Sequence, residues 1–291
     1  MSHSKKHEGM TLNDKKISIT QPEFDQFCLF LEKACGILLA KHKQYLVESR
    51  LGKILIEGEY NSLGQLTTVL AHPGNSRLKE QVINAMTTNE TLWFRDNHPY
   101  AILKDKLLPE LAVNASSQRL KIWSAACSTG QEPYSISMII DEFKSAHPGT
   151  FRLGEEIIAT DISTRVLEQA RLAEYEMLAL GRGLSQDRLK RFFEPSAEDV
   201  WRLMPKVKQR VIFKELNLLG DYPGIGPCDI VFCRNVLIYF STERKSDILR
   251  KIHKVLKPGG YLLLGASESI GNLNDLFDMV HCRPGIIYKA K

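Results

Sequence analysis

Residues 122–138, IWSAACSTGQEPYSISM, constrain this chain more than any other stretch. The short apolar run over 122–126 has the composition of a parallel strand buried on both faces. A small-residue turn follows, Cys127-Ser128-Thr129-Gly130, and then Gln131 and Glu132 precede Pro133 and an apolar-periodic run. Proline suits a first helical turn because its missing N–H would have no partner there. Strand, glycine turn and helix together hold nucleotide-type cofactors. The glycine lets the ligand approach the backbone, and the helix start points N–H groups at it. The turn holds one glycine where a pyrophosphate-binding G-x-G-x-x-G would hold three, and Glu132 at the helix start would repel a phosphate. An acidic residue there suits a ligand with an ammonium or sulfonium charge. S-adenosylmethionine carries both.

The remaining composition narrows the class. At 291 residues the chain has room for one large or two modest domains, and 43% hydrophobic residues make a real core. Thirty-nine Lys and Arg against 34 Asp and Glu give a formal charge of +5, too weak to imply nucleic acid. The six cysteines form no C-x-x-C pair, and four sit in apolar runs, where buried free thiols are expected. No apolar stretch is long enough to span a bilayer, and the first residues, MSHSKKHEGMTLNDKK, hold no signal-peptide apolar core. A cytoplasmic protein is expected. No internal repeat is visible.

Along the chain, residues 1–15 are polar and read as a disordered tail, and 16–86 read as an all-helical domain. Thr20-x-x-Glu23 is a candidate capping box ahead of Phe24, Phe27, Cys28, Leu31 and Cys35, and Gly36 ends that helix. Further helices are expected over 41–57, 62–70 and 77–86. On the second, Lys43, Arg50 and Lys53 fall together beside the apolar stripe of Val47, Leu51, Ile54 and Leu55. Residues 87–105 read as a linker that begins with the aperiodic TTNETLWFRDNH. A helix over 100–111 and a loop over 114–118 follow.

From there strands and helices alternate: strand 120–126, helix 133–144, strand 155–161, helix 163–175, strands 210–214 and 228–233, helix 242–256, strand 260–265. That pattern predicts a doubly wound parallel sheet over 106–291. FDMVHC and GIIYKA, separated by Arg283-Pro284, read as a terminal antiparallel hairpin, the plan of class I methyltransferases and not of dehydrogenases. A charged stretch at about 176–212 interrupts the alternation. It is expected as an insertion with short strands, Val200 to Leu203 pairing near Val211.

Three further blocks carry chemistry. EEIIATDIS ends a buried strand in Asp161, where a carboxylate can accept both ribose hydroxyls of an adenosine. The competing reading is an N-cap or turn aspartate for the next helix, and Ser163 already fits the cap role. CDIVFCRNVLIYF ends a strand in Arg234-Asn235 and leads to Tyr239, and LKPGGYLLLGASES joins a helix to an apolar strand. A nicotinamide dehydrogenase would need the glycine fingerprint that is absent. In TTNETLWFRD, the polar Asn89, Thr91 and Arg95 surround three large apolar residues. Alone, the segment could equally be a linker packing its aromatics on the core.

Taken in order, TTNETLWFRD, IWSAACSTGQEPYSISM, IIATDIS, ELNLL, FCRNVLIYF and LKPGGYLLLGASES resemble the successive signatures of the CheR family, the chemotaxis-receptor glutamate O-methyltransferases. The resemblance runs over about 20–291. It implies an α/β fold: a class I, Rossmann-like S-adenosylmethionine-dependent domain with a small antiparallel β-subdomain, preceded by an all-helical N-terminal domain. It implies cofactor contacts at Asn89, Thr91, Arg95, Glu132, Asp161, Asn217, Leu218, Arg234 and Asn235. Asp161 would hold the ribose, Glu132 would meet the cationic methionine portion, and Asn217 and Leu218 would lie near the adenine. Arg95 and Tyr239 would orient the substrate glutamate for SN2 methyl transfer, yielding a glutamyl methyl ester and S-adenosylhomocysteine. Alone, Asn217 reads as a turn residue and Tyr239 as a core-edge tyrosine. Likewise Lys43, Arg50 and Lys53 alone read as a solvated face; the resemblance implies that they dock on the acidic methylation helices of a chemoreceptor. One stretch departs from the family. Members that bind a receptor's C-terminal pentapeptide carry a glycine- and arginine-containing loop in the β-subdomain, whereas RFFEPSAEDVWRL, residues 191–203, has no glycine. Tight tether binding is not expected, nor is a metal. A monomer is expected. A non-catalytic scaffold is disfavoured by the intact set Arg95, Glu132, Asp161, Asn235 and Tyr239, and a nucleic-acid methyltransferase by the modest charge.

Overall fold

The computed structural model describes residues 18–113 and 118–291. The tail expected over 1–15 and most of the loop expected over 114–118 lie outside the described residues. The chain forms two units. Of the described residues, one takes 18–34 and 39–86; the other takes 35–38, 87–113 and 118–291.

The first unit holds four helices, α1 (Gln21–Cys35), α2 (Gln44–Glu57), α3 (Leu63–Ala71) and α4 (Ser76–Met86). One turn of 3-10 helix, Lys41–Lys43, leads into α2. Phe24, Phe27 and Leu31 of α1, Val47, Leu51 and Leu55 of α2, Leu63, Leu66 and Leu70 of α3, and Val82 and Met86 of α4 are buried. Burial of each such side chain stabilises by roughly 1.5–3 kcal/mol. The capping box forms in one half. The Glu23 carboxylate accepts the Thr20 N–H at 3.0 Å, but the Thr20 hydroxyl donates to the same carboxylate at 2.8 Å instead of accepting from the helix. Ser62 caps α3 through the Gln65 N–H.

In the second unit, residues 87–97 run without regular structure into α5 (His98–Ile102), which continues through a π turn into α6 (Leu108–Val113). The expected helix over 100–111 is therefore longer and interrupted. Then come β1 (Leu120–Ala125), α7 (Gln131–Ala146), β2 (Glu155–Asp161) and α8 (Thr164–Leu172). The insertion follows: β3 (Glu174–Glu176), α9 (Met177–Leu180), α10 (Gln186–Phe192), β4 (Phe193–Ala197), β5 (Val200–Leu203) and α11 (Pro205–Lys208). The chain returns with β6 (Val211–Glu215), β7 (Cys228–Cys233), α12 (Thr242–Val255), β8 (Leu256–Leu264), β9 (Phe277–His281) and β10 (Ile286–Ala290). No helix among the described residues is long and apolar enough to cross a membrane.

The large sheet has the order β6-β2-β1-β7-β8-β10-β9. The first five strands are parallel, and β10 runs antiparallel between β8 and β9. Both faces of β1 are covered. Ile122 packs in one core cluster, while Trp123 and Ala125 pack in the other, which is why this strand reads as a continuous apolar run. Strand order reverses at β1: its own crossover leads to β2 on one side, while β7 pairs on the other. Such a switch point opens a crevice at the strands' carboxyl ends. The glycine turn, Asp161 and Arg234 all stand there.

Three boundaries differ from the sequence reading. The helix expected over 163–175 stops at Leu172, because Ala173 takes a positive φ of 57°. The strand expected at 260 begins at Leu256. Leu256 pairs with Cys228 and Tyr261 with Ile230, so Lys257-Pro258-Gly259-Gly260 forms a bulge within the ladder and not a turn before it. Val200–Leu203 does not pair near Val211. It pairs with β3 and β4 in a separate three-stranded antiparallel sheet, while Val211 pairs with Ile157 of the main sheet. Short strands have no pattern that names their partner, and the partner is decided by packing.

This small sheet grips the segment that precedes the main one. Trp93 packs edge-on against Tyr175, at 4.9 Å between ring centroids, and against Phe193 at 5.4 Å. The Trp93 N–H donates to the Arg182 carbonyl at 3.1 Å. The Arg188 guanidinium lies 3.8 Å over the Phe94 ring and bonds Glu142 of α7 through two nitrogens. Gly183 allows the approach: it has a φ of +98°, and a Cβ there would fall 2.1 Å from the Trp93 carbonyl oxygen. Gly183→Ala is therefore expected to destabilise the chain by roughly 2–4 kcal/mol, through backbone strain and forced displacement. Calorimetry would read this as a midpoint several degrees lower; an unchanged midpoint would show that the two segments are not held this closely.

Candidate cofactor site at the carboxyl ends of the parallel strands

The glycine turn between β1 and α7 is built from backbone bonds to β2. The Cys127 N–H donates to the Thr160 carbonyl at 2.9 Å, and the Ser128 N–H to Asp161 Oδ2 at 2.8 Å. Asp161 Oδ1 accepts the Ser163 N–H at 2.9 Å. Gly130 closes the turn with a φ of +94°, where a Cβ would meet Ala170, Tyr134 and Tyr175, all at 3.1 Å. Asp161 therefore does hold a turn, a role that the sequence reading had set against ribose binding. The two are compatible. A carboxylate offers about four acceptor positions, and the backbone N–H groups of Ser128, Ser163 and Ile162 take only some of them, so a ribose hydroxyl can still be accepted. Burial raises the pKa of Asp161, and the N–H groups of Ser163 and Ser128 pull it back. Ser163 caps α8, accepting the Val166 N–H.

Glu132 stands in the first turn of α7. Its Oε1 accepts the Ser124 hydroxyl at 2.8 Å, and its Oε2 meets Arg234 Nη1 at 3.1 Å. Arg234, one residue past β7, has a side chain only 1% exposed. Its Nη2 donates to Asp96 Oδ2 at 2.6 Å and to the Arg95 carbonyl at 3.0 Å. Two carboxylates thus share one guanidinium, Glu132 on the buried side and the one-third-exposed Asp96 on the other. Burial raises the pKa of Glu132, against the pull of Arg234 and Ser124. Burial opposes the charge on Arg234, yet Glu132 and Asp96 hold its pKa above the ordinary value. Glu132 places a carboxylate at a helix start within this crevice, so the donor set fits the ammonium and sulfonium charges of S-adenosylmethionine.

The other sequence-predicted residues occupy the loops around this cluster. The Asn89 carbonyl accepts the Ser128 hydroxyl at 2.8 Å, which ties TTNETLWFRD to the glycine turn. Thr91 and Arg95 are half-buried, and Arg95 Nη1 donates to the Glu90 carbonyl at 3.3 Å. Asn217 Oδ1 accepts the Leu219 N–H at 3.0 Å in the turn after β6, and Leu218 is buried beside Trp123 and Tyr222. Asn235 takes a φ of +58°, and its N–H donates to Glu268 Oε2 at 2.7 Å. Tyr239 ends a 3-10 turn, is half-buried, and accepts the Leu38 N–H on its carbonyl at 2.9 Å. Lys43, Arg50 and Lys53 lie in the helical unit. Lys43 and Lys53 are exposed, and Lys53 reaches Glu57 at 3.7 Å. Arg50 is half-buried and donates to the Met86 carbonyl at 2.6 Å.

Four residues of the cluster escaped sequence reasoning: Ser124, Ser128, Asp96 and Glu268. Glu268 is the least visible. It accepts N–H groups from Asn235, Gly265 and Ile238 and so shapes the loop after β7. Its only sequence signal is a carboxylate just past an apolar strand.

A seven-stranded sheet of this order, with a carboxylate ending β2 and an acidic helix start after a single-glycine turn, defines a class I S-adenosylmethionine-dependent methyltransferase. Comparison with known proteins narrows this. Residues 89–286 match the CheR methyltransferase SAM-binding domain, and residues 22–87 match the CheR methyltransferase all-alpha domain. The chain belongs to the CheR family. It is 54% identical over 269 residues to "Chemotaxis protein methyltransferase Cher2" of Pseudomonas putida, covering 92% of this chain and 98% of that one. It is 53% identical over 275 residues to "Chemotaxis protein methyltransferase 1" of Pseudomonas aeruginosa, covering 94% and 100%. The Salmonella typhimurium chemotaxis protein methyltransferase is 35% identical over 263 residues, covering 89% and 88%.

The burial of Glu132 has a testable consequence. A folded-state pKa above the unfolded value means that the folded chain binds more protons, so Glu132 opposes folding as pH rises through that window. Glu132→Gln is expected to leave the cofactor-free protein at least as stable at pH 7.5. It should nevertheless weaken S-adenosylhomocysteine binding by about tenfold or more, the value of a charge-assisted hydrogen bond. Wild-type affinity should fall on acidification, as Glu132 takes up its proton, and the Gln variant should lose that part of the dependence. Asp161→Ala should also weaken binding in calorimetric titration. Intact binding in both variants would misplace the site.

Proposed function

We propose that this chain methylates glutamate side chains on the cytoplasmic helices of chemoreceptors, producing glutamyl methyl esters and S-adenosylhomocysteine. The reading is supported by full-length similarity to chemotaxis protein methyltransferases. It is carried by one observation: Arg95, a cation for a substrate carboxylate, is tied through its carbonyl to Arg234, which also pairs with Glu132.

In this reading Glu132 receives the cationic methionine portion, and Asp161 accepts the ribose hydroxyls. Asn217 and Leu218 flank the adenine, and Asn89, Thr91, Arg95, Arg234 and Asn235 complete the cofactor contacts. Bound there, S-adenosylmethionine supplies an electrophilic methyl group on a sulfonium centre. Arg95 and Tyr239 orient the incoming carboxylate through charge-assisted hydrogen bonds. A glutamate side chain, with a pKa of about 4.3, is already ionised at neutral pH. An SN2 displacement by it needs no general base. It needs in-line placement and exclusion of water.

Receptor docking falls to the basic face of the helical unit. Lys43 and Lys53 present its charge, while Arg50 also serves the fold by holding the end of α4. The β4–β5 hairpin, with Asp199 at a φ of 57° in its turn and no glycine, is read as unable to hold a receptor's C-terminal pentapeptide tightly.

With a receptor cytoplasmic fragment and labelled cofactor, the product should be a base-labile ester on glutamate; base-stable label would overturn the reading. Lys43→Glu combined with Lys53→Glu should raise the KM for the fragment several-fold at low salt, less so at high salt, and leave S-adenosylhomocysteine affinity unchanged. Equal loss of both would point to misfolding. Calorimetric titration with a tether pentapeptide should detect no micromolar binding, and micromolar binding would refute the hairpin reading.

A further inference from the structure

We infer that Asp96 is a positioning residue for methyl transfer, acting through Arg234 to hold Arg95 in place. The inference rests on the reading that Arg95 orients the substrate carboxylate, and it deepens that reading.

The backbone around Arg95 is strained. Phe94 has a φ of 50°, Asp96 of 68° and Asn97 of 50°, so three non-glycine residues of four occupy the left-handed region. L residues rarely adopt it, and such a run persists only where its surroundings over-determine it. Three anchors do so. The Phe94 N–H donates to Ser135 Oγ of α7 at 3.2 Å. The Arg188 guanidinium covers the Phe94 ring at 3.8 Å. On the far side of Arg95, Arg234 Nη2 holds both the Arg95 carbonyl, at 3.0 Å, and the Asp96 carboxylate, at 2.6 Å.

The last anchor differs in kind. Arg234 is rooted at the end of β7 and is buried, so it is a fixed post. Glu132 draws its Nη1 towards the cofactor side, and Asp96 draws its Nη2 towards the strap formed by residues 94–97. The Asp96 carboxylate is one-third exposed and fills no core position. Its contribution is electrostatic: it keeps Nη2 aimed where the Arg95 carbonyl can accept from it. Without that charge, the guanidinium serves Glu132 alone, and the strained strap relaxes with Arg95 on it.

The test uses the full chain with a receptor cytoplasmic fragment, and the variants Asp96→Ala, Asp96→Glu, Arg95→Ala and the Arg95→Ala/Asp96→Ala double. Asp96→Ala should lower kcat about tenfold, the effect of misplacing one orienting group. S-adenosylhomocysteine affinity should stay within about threefold. Asp96→Glu should recover most of the loss. The double variant should be no slower than Arg95→Ala alone, because Asp96 acts through Arg95. A kcat for Asp96→Ala within twofold of wild type, while Arg95→Ala is slow, would overturn the inference alone. So would additive losses in the double variant. Parallel losses of cofactor affinity and thermal midpoint in Asp96→Ala would mark a merely structural residue and overturn it too. An unimpaired Arg95→Ala would instead overturn the reading on which the inference rests.

Discussion

A single buried guanidinium between two carboxylates is the interaction on which this site depends. Arg234 could not remain charged at 1% exposure without Glu132 and Asp96, since an unpaired charge in that environment costs several kcal/mol. The same guanidinium that meets Glu132 also holds the Arg95 carbonyl, so Glu132 and the segment bearing Arg95 share one mechanical root.

Backbone atoms do much of the remaining work. Asp161 is committed to the N–H groups of Ser128 and Ser163 before any ligand arrives, and Glu268 to those of Asn235, Gly265 and Ile238. Both carboxylates fix loops at strand ends, where positive φ values at Ala126, Ser128 and Asn235 would otherwise be unfavourable. The small antiparallel sheet has a related part. Its aromatic residues Tyr175 and Phe193 clasp Trp93, and its helix α10 supplies Arg188 over Phe94. This clasp gives the insertion a structural part: it holds the segment that bears Arg95.

Legibility in the sequence followed the range of the interactions. β2 and β7 were readable to the residue, because buried parallel strands are continuous apolar runs between turn residues. The helix over 163–175 and the strand at 260 were misjudged where one backbone torsion or a bulge decided the boundary, and neither leaves a periodic trace. The partner of Val200–Leu203 was misjudged because a four-residue strand carries too little pattern to choose among edges. Asp96 stayed invisible because its partner, Arg234, lies 138 residues away.

The sequence by itself determined the parallel sheet, the terminal hairpin, the helical first unit and the family, because each is written in local periodicity or in ordered motifs. It also placed an acidic residue where a phosphate-binding enzyme would have none. Only the tertiary structure decided how the charges combine: that Asp161 holds the glycine turn and keeps acceptor positions to spare, that Arg50 is partly a structural tie, and that Arg234 joins Glu132 to the strap. Those facts depend on side chains brought together from distant segments, and electrostatics between buried groups is set by distance in space and by burial, neither of which sequence spacing encodes.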